Sequence, residues 1–311
     1  MHMIIDVVGI KVRLASNTED IFTFLRGFDH ILDLYYHEIT DNGIYDCTLT
    51  YFNEDIENGK IFLCGDDVLF VAAWRSVYRS TSIRTLLILI AERYRQQHRR
   101  QITFHASAVS NGKYGYVFMG GQGAGKTTLA MEMVLNQKCK FFANEYAVIG
   151  DKKSEMYLFG GIGPLSLRYE SLSLSFPELA NKLFEKVPDD TWNRKIRVNP
   201  SSLGMKTENE CVILDKIFIV SLNKSGKNYV NKMDDPYKIN ALLYEEASRI
   251  IKGCALPIYT PDGLVETFCP SFDTELANTQ RQTLFEKMKN RMFMITGTLN
   301  YCTEQIQKLM K

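Results

Sequence analysis

Residues Gly120, Gly121, Gln122, Gly123, Ala124, Gly125, Lys126 and Thr127 follow one another as G-G-Q-G-A-G-K-T. Glycine lets a backbone turn without a Cβ in the way, so successive N–H groups can converge on one anion. A lysine in the next position can reach the β- and γ-phosphates of a nucleoside triphosphate. The hydroxyl of Thr127 can then ligate magnesium, with Thr128 beside it at the loop exit. The context agrees with that chemistry. An apolar stretch, Tyr116-Val117-Phe118-Met119, enters the loop. Leu129-Ala130-Met131-Glu132-Met133, all helix formers, leaves it. The positive end of that helix would face the phosphates. A loop of this kind announces nucleotide binding. Alone it leaves kinase, motor ATPase and GTPase switch open.

Three neighbouring features bear on the choice. His105 stands in Phe104-His105-Ala106-Ser107-Ala108-Val109, a strand pattern just ahead of the loop strand. Pairing of the two strands would bring it near the phosphates; the alternative is a core histidine hydrogen-bonded to backbone. Phe141-Phe142-Ala143-Asn144-Glu145 reads as a short apolar strand ending in a polar pair. Strand ends in parallel α/β sheets converge on the ligand crevice, although a plain turn would also explain the pair. Gly160-Gly161-Ile162-Gly163-Pro164-Leu165-Ser166-Leu167-Arg168 suggests a flexible turn followed by a cation. Arg168 would hold phosphate there, or else cap or salt-bridge. Leu222-Asn223-Lys224-Ser225 imitates a guanine-reading signature, but Gly226 stands where the acid is needed, so GTP preference is unsupported. Asp189-Asp190 and Asp234-Asp235 sit at turns and read as caps.

The elements that must position these residues follow from pattern. Strands are expected over residues 4–14, 45–52, 61–64 and 68–74, and a helix starts at Asn17-Thr18-Glu19-Asp20. A longer helix over 82–98 ends in Arg93, Arg95, His98, Arg99 and Arg100. Those cations suit the negative end of the helix dipole and read as a solvated end, phosphate steering being the alternative. After a boundary near residue 100, strands are expected at 102–109, 114–119, 140–143, 146–149, 155–159 and 216–222. Helices are expected at 127–137, 239–251 and 278–294.

Composition narrows the rest. The chain has 311 residues, room for one large or two ordinary domains. It is 45% hydrophobic and 23% charged, as soluble globular proteins are. Its formal charge of +1 offers no broad attraction to nucleic acid or membrane, so neither is expected as a partner. The seven cysteines are dispersed, odd in number and lack any C-x-x-C pair, which argues for reduced thiols over disulfides or a zinc site. No apolar run is long enough to span a bilayer, and the start lacks a basic stretch followed by an apolar one. A cytoplasmic protein is the expectation.

His105 on a strand, the glycine-rich loop ending Gly-Lys-Thr, and the acid-bearing pair Asn144-Glu145 some twenty residues further on together resemble HPr kinase/phosphorylase and its HPr-kinase-related relatives. That family shares a phosphate-loop fold with phosphoenolpyruvate carboxykinase. A weaker likeness lies in Asn240-Ala241-Leu242-Leu243-Tyr244-Glu245-Glu246-Ala247. The resemblance covers residues 101–255, with most of its specificity in the first fifty. The first hundred residues do not resemble the HPr kinase amino-terminal domain. The resemblance implies ATP-dependent phosphorylation of a serine hydroxyl in a peptide or small protein. Where the family has Asp-Asp, one carboxylate holds magnesium or its water and the other accepts the proton. Here those positions are Asn144, which cannot take a proton, and Glu145, whose extra methylene shifts the carboxylate. A misplacement of about 1 Å can slow a reaction ~100-fold.

The resulting expectation is an α/β protein: a small strand-rich domain over 1–100 and an HPr-kinase-like phosphate-loop kinase domain over 101–311. ATP and Mg2+ are the expected cofactors. Residues 120–128 and Arg168 would bind the nucleotide. Glu145, His105, Lys126 and Asn144 would act in catalysis, and Thr127 and Glu145 would meet the metal. The favoured acceptor is a peptide or small-protein hydroxyl; a small-molecule acceptor and a non-catalytic ATP-binding sensor or scaffold are the rivals. Many relatives assemble, so a homo-oligomer is open, but the sequence fixes no oligomeric state.

Overall fold

The computed structural model describes residues 1–27, 37–39, 43–56, 59–74, 80–192, 194–223, 227–252, 257–259, 265–268 and 270–311. In chain order the elements are β1 (His2–Asp6), β2 (Lys11–Ser16), α1 (Asp20–Gly27), β3 (His37–Ile39), β4 (Cys47–Asn53), β5 (Lys60–Cys64), β6 (Asp67–Ala72), α2 (Ser80–Tyr94) and β7 (Gln101–Phe104). Then come β8 (Ser107–Ser110), β9 (Tyr114–Met119), α3 (Lys126–Leu135), β10 (Lys140–Ala143), β11 (Ala147–Lys152), β12 (Glu155–Gly161), β13 (Leu165–Arg168), α4 (Tyr169–Ser175), α5 (Pro177–Leu183), β14 (Lys195–Val198) and β15 (Val212–Leu222). The last are β16 (Tyr229–Lys232), α6 (Pro236–Ser248), β17 (Pro257–Tyr259), β18 (Val265–Phe268), α7 (Glu275–Met288), β19 (Met292–Gly297) and α8 (Leu299–Leu309). The protein is mixed α/β.

The chain divides into two compact units, Met1–Thr103 with Ala241–Phe285, and Phe104–Asn240 with Glu286–Lys311. The segment 101–311, expected as one continuous domain, is therefore interrupted: its residues 241–285 belong with the first unit. Nothing in a stretch of one-dimensional pattern says which partner a returning segment will pack on.

The first unit is built on a sheet of order β3-β1-β2-β4-β6-β5. The single strand expected over 4–14 is instead a hairpin. Val8 (φ 52) and Gly9 (φ 86) form its two-residue turn, closed by Val7 N to Ile10 O at 2.8 Å. Both central residues have positive φ, as a primed hairpin turn requires. Valine is a poor advertisement for that conformation, and the alternation of β1 runs straight into β2. Strand β2 pairs in parallel with β4, and β4 with β6. Helix α2 is buried on most of its circumference, through Ile83, Leu86, Leu87, Leu89, Ile90 and Ala91.

The cationic end of that helix is solvated at His98, Arg99 and Arg100, as expected, but not at Arg95. Arg95 is buried, its Nη1 donating to Glu92 Oε2 at 2.7 Å and its Nη2 to the carbonyls of Val7 and Val8 at 2.9 Å. Gln96 donates to Glu92 Oε1 at 2.7 Å and to Ala247 O at 2.9 Å. Arg281, fully buried on α7, donates to Gln96 Oε1 at 2.6 Å and forks onto both oxygens of Asp273 at 2.9 and 2.7 Å. Charges out of water persist only when matched in this way. Arg281→Met should strand Asp273 and Gln96 and lower stability by about 3–5 kcal/mol. Urea unfolding measures this, and an unchanged midpoint would mean that the network contributes nothing.

The second unit holds a sheet running β10-β8-β9-β15-β12-β11, with β19 beside the second half of β15 and β16 beyond it. Strand β9 is buried along nearly its whole length, as a central strand covered on both faces should be. It pairs in parallel with β15, and β15 in parallel with β19. Since β8 is antiparallel to both β9 and β10, the last two also share a direction. The carboxyl ends of β9, β10, β15 and β19 thus lie along one edge of the sheet. That edge is where ligands bind in open α/β sheets. Helix α3 packs its Leu129, Ala130, Met131 and Met133 into a core shared with Phe118, Phe218, Leu165, Leu167, Leu172 and Ile306. The last helix expected over 278–294 stops at Met288, and 292–294 open β19 instead. Helix α8, capped by Thr298 Oγ1 on Tyr301 N, was not anticipated.

Among the described residues, Cys47, Cys139 and Cys302 are buried free thiols, while Cys64 and Cys211 are exposed. Burial pushes the thiols of Cys139 and Cys302 up to about 11, which keeps them protonated and unreactive. Cys254 and Cys269 lie outside the described residues. No described helix is long and apolar enough to cross a membrane.

Candidate functional site

Strand β9 runs directly into the glycine-rich loop, and the loop into α3. Gly120 has φ 145, and a Cβ on it would meet the Val220 carbonyl at 2.6 Å. Gly125, with φ 91, is the N-cap of α3, and a Cβ there would sit 2.4 Å from Leu222 Cδ1. Neither place admits another residue without displacement of β15. Ala124 O accepts from Leu222 N at 2.9 Å, pinning the loop to β15 from the other side. Gly121, Gln122 and Gly123 form the exposed apex, and Lys126, Thr127 and Thr128 the first turn of the helix. Lys126 is buried, and its Nζ donates to Gly120 O at 2.7 Å and to Gly121 O at 3.1 Å.

The second strand end reaches the same place. Thr127 Oγ1 donates to Asn144 Oδ1 at 2.8 Å. Ser107 Oγ, at the start of β8, donates to the same oxygen at 3.0 Å. Asn144 is almost wholly buried, and its Nδ2 donates to Pro164 O at 3.4 Å. Its side-chain oxygen therefore gathers two hydroxyls, one from the loop helix and one from the neighbouring strand.

Glu145 follows at the corner between β10 and β11. Its φ is 65, and Tyr146 N bonds back to Asn144 O at 2.8 Å, closing a three-residue γ-turn. A glutamate at positive φ stores strain of about 1–3 kcal/mol, and such strain persists only where its surroundings hold it. Here Ile162 clamps the corner, accepting from Asn144 N at 2.7 Å and donating to Tyr146 O at 3.1 Å. The clamp requires Gly161, whose Cβ would meet Ala143 Cβ at 2.2 Å and Tyr146 O at 2.5 Å. The glycines expected as a flexible turn are thus partly strand: Gly160 and Gly161 end β12 and let it press against the corner.

His105 does not lie on a strand. The stretch expected as one strand over 102–109 breaks between β7 and β8, and His105 falls in the break. Its ring centre is 6.5 Å from that of Tyr146, so it stands near the Glu145 corner without registering against β9. Arg168 closes β13, with its guanidinium 4.4 Å from the ring centre of Trp192. The ring edge of Trp192 in turn lies against Gly123, 3.3 Å from where a Cβ would be. Ser107, Gly161 and Trp192 were not anticipated from sequence. Ser107 was legible in principle, since it faces the same side of its strand pattern as His105. Trp192 had no signal, because a lone aromatic in an irregular stretch has no period.

The decoys resolve simply. Asp235 Oδ1 caps Tyr237 N at 2.9 Å and Lys238 N at 3.2 Å, at the start of α6. Residues 224–226 lie outside the described residues. The described residues contain no cluster of three His, Cys, Asp or Glu side chains able to hold a metal. The hydroxyl oxygen of Thr127, oriented by Asn144, nonetheless fits magnesium. That ion takes hard oxygen donors, keeps several waters, and commonly draws the rest of its shell from substrate phosphates.

Neither a protein-family model nor a curated protein sequence matches the chain. Among solved structures, the chain is similar to the HPr(Ser) kinase/phosphatase from Coxiella burnetii. Identity is 11%, over 42% of this chain and 72% of that one, with a TM-score of 0.24. The likeness is weak, and the site rests on its own geometry.

Proposed function

We propose that the protein is an ATP- and magnesium-dependent phosphotransferase of HPr-kinase-like type, passing the γ-phosphate to a hydroxyl, with a serine of a peptide or small protein as the acceptor. The observation that carries this reading is the hydrogen bond from Thr127 Oγ1 to Asn144 Oδ1. It joins the loop of one strand to the polar corner of another at a common sheet edge. The amides of residues 121–127 and the Lys126 ammonium would face the β- and γ-phosphates. With its proton committed to Asn144, Thr127 would have its lone pairs left for magnesium. Magnesium, when bound, neutralises charge on the β- and γ-oxygens. Glu145 takes the proton of the acceptor hydroxyl as its oxygen bonds to the γ-phosphorus. The bond to the β–γ bridging oxygen breaks, and ADP leaves with that electron pair. His105 and Ser107 order the corner.

Incubation with γ-labelled ATP and a peptide pool tests the reading. Label on peptide supports it, and label on a small product moves the acceptor to small molecules. Tight ATP binding without transfer to any acceptor would overturn it in favour of a sensor. Asn144 gives a second check. Removing a group that orients a metal ligand typically costs 10–100-fold in metal affinity. Asn144→Leu should therefore weaken magnesium-dependent nucleotide binding by about that factor, while Asn144→Asp, which keeps an acceptor oxygen, should not. Equal magnesium titrations for all three proteins would remove Asn144 from the site.

A further inference from the structure

We propose that Trp192 and Arg168 form a phosphate clamp on the rim of the glycine-rich loop, the indole positioning the guanidinium for an oxygen of the nucleotide's phosphate chain. This rests on the nucleotide-binding reading above and adds to it a residue with no glycine-loop signature.

The order in space is loop, ring, cation. Gly123 sits at the loop apex with the Trp192 ring edge against it, and the Arg168 guanidinium lies over that ring at 4.4 Å. Neither partner is casually placed. Arg168 is the last residue of β13 and pairs with Lys195 of β14. The stretch carrying Trp192 is tied to the start of α4 by main-chain bonds on both sides: Glu170 N to Thr191 O and Tyr169 N to Arg194 O, each 3.2 Å. Helix α4 and strand β13 contribute Leu172, Leu165 and Leu167 to the core that holds α3, so this assembly is braced on the loop helix.

Two features ask for a ligand. Arg168 Nη1 is buried and has no hydrogen-bond partner among the described residues. A donor left so is costly, and a phosphate oxygen would match it. Trp192 is 47% exposed, a large ring kept in water beside the loop. A guanidinium stacked on an aromatic face keeps its N–H vectors in its own plane, free of the ring and ready for an anion. Arginine without that platform would sample many rotamers.

The test uses Trp74→Phe, which leaves Trp192 as the single indole of the chain's two. Titration with a non-hydrolysable ATP analogue and magnesium should change Trp192 fluorescence. Trp192→Ala should weaken binding of both that analogue and inorganic tripolyphosphate about two- to fivefold, as a partly exposed cation–π contact implies. Arg168→Met should do the same. The double variant should lose no more than either alone, because the two act as one unit. Trp192→Phe, which keeps a ring face, should stay within about twofold of the parent. Four outcomes overturn the clamp while Lys126→Ala still loses binding: silent fluorescence, unweakened binding in Trp192→Ala, additive losses, or a loss for the ATP analogue but not for tripolyphosphate. If Lys126→Ala binds as well as the parent, the nucleotide reading itself has failed.

Discussion

Lys126→Ala should reduce nucleotide-dependent transfer by about 10^2–10^3-fold, the loss typical when one charge-stabilising donor is taken from a reaction centre. The reasoning begins with where the ammonium is. It is buried at the first turn of α3, and it donates to the carbonyls of Gly120 and Gly121. Those two bonds hold it inside the loop, at the place that phosphates would fill under the proposed function. Alanine keeps the helix, since no residue is a better helix former. The glycine conformations at 120 and 125 and the Ala124–Leu222 bond still hold the loop once the two lysine bonds are lost. Loss of transfer in a protein that remains folded is therefore the expected pair of results. Full transfer in the variant would refute the assignment of the site.

Glu145→Gln should lower transfer by about 10^2–10^4-fold, the usual contribution of a positioned base, while nucleotide binding persists. Glutamine has the shape of glutamate and leaves the γ-turn and its Ile162 clamp in place, so the change removes the negative charge and the proton acceptance together. Single-turnover measurement at saturating ATP isolates that step. A variant that transfers at the parental rate would show that the base lies elsewhere or that none is used. The strain at Glu145 strengthens the case for function, because a glycine at positive φ would relieve it and the chain retains a carboxylate there instead.

Much of the second unit was legible in the sequence. The bounds of β9 and β10 follow from short buried runs between turn formers, and α3 from good helix formers after glycine. These strands are covered on both faces, so their composition alone marks them. What was not legible depended on long-range partners. The hairpin at Val8-Gly9 hides because alternation continues through it. The break at His105 hides because His105 and Ala106 look as strand-like as their neighbours. Helix α7 appeared to run through 294 because Met292, Phe293 and Met294 suit either state, and only pairing with β15 selects the strand. Arg95 read as surface because a run of cations usually is. Glu92, four positions before Gln96 and one turn from Arg95, carried no sign that it would be buried beside them. In the site, the loop chemistry was visible from residue types, whereas the meeting of Thr127, Asn144 and Ser107 needed the sheet order.

That sheet order has a consequence for how the chain must be made. Strand β15 gains its parallel neighbour β19 only after the polypeptide has left to build residues 241–285 of the other unit. During N-to-C synthesis, then, the apolar flank formed by Ile217, Phe218 and Val220 emerges from the ribosome well before the strand that covers it. The nascent protein must carry an open, aggregation-prone β-edge next to its glycine-rich loop until α7 and β19 have been translated. A ribosome stalled within α7 would therefore hold a chain that calls on chaperones, while the released chain would not.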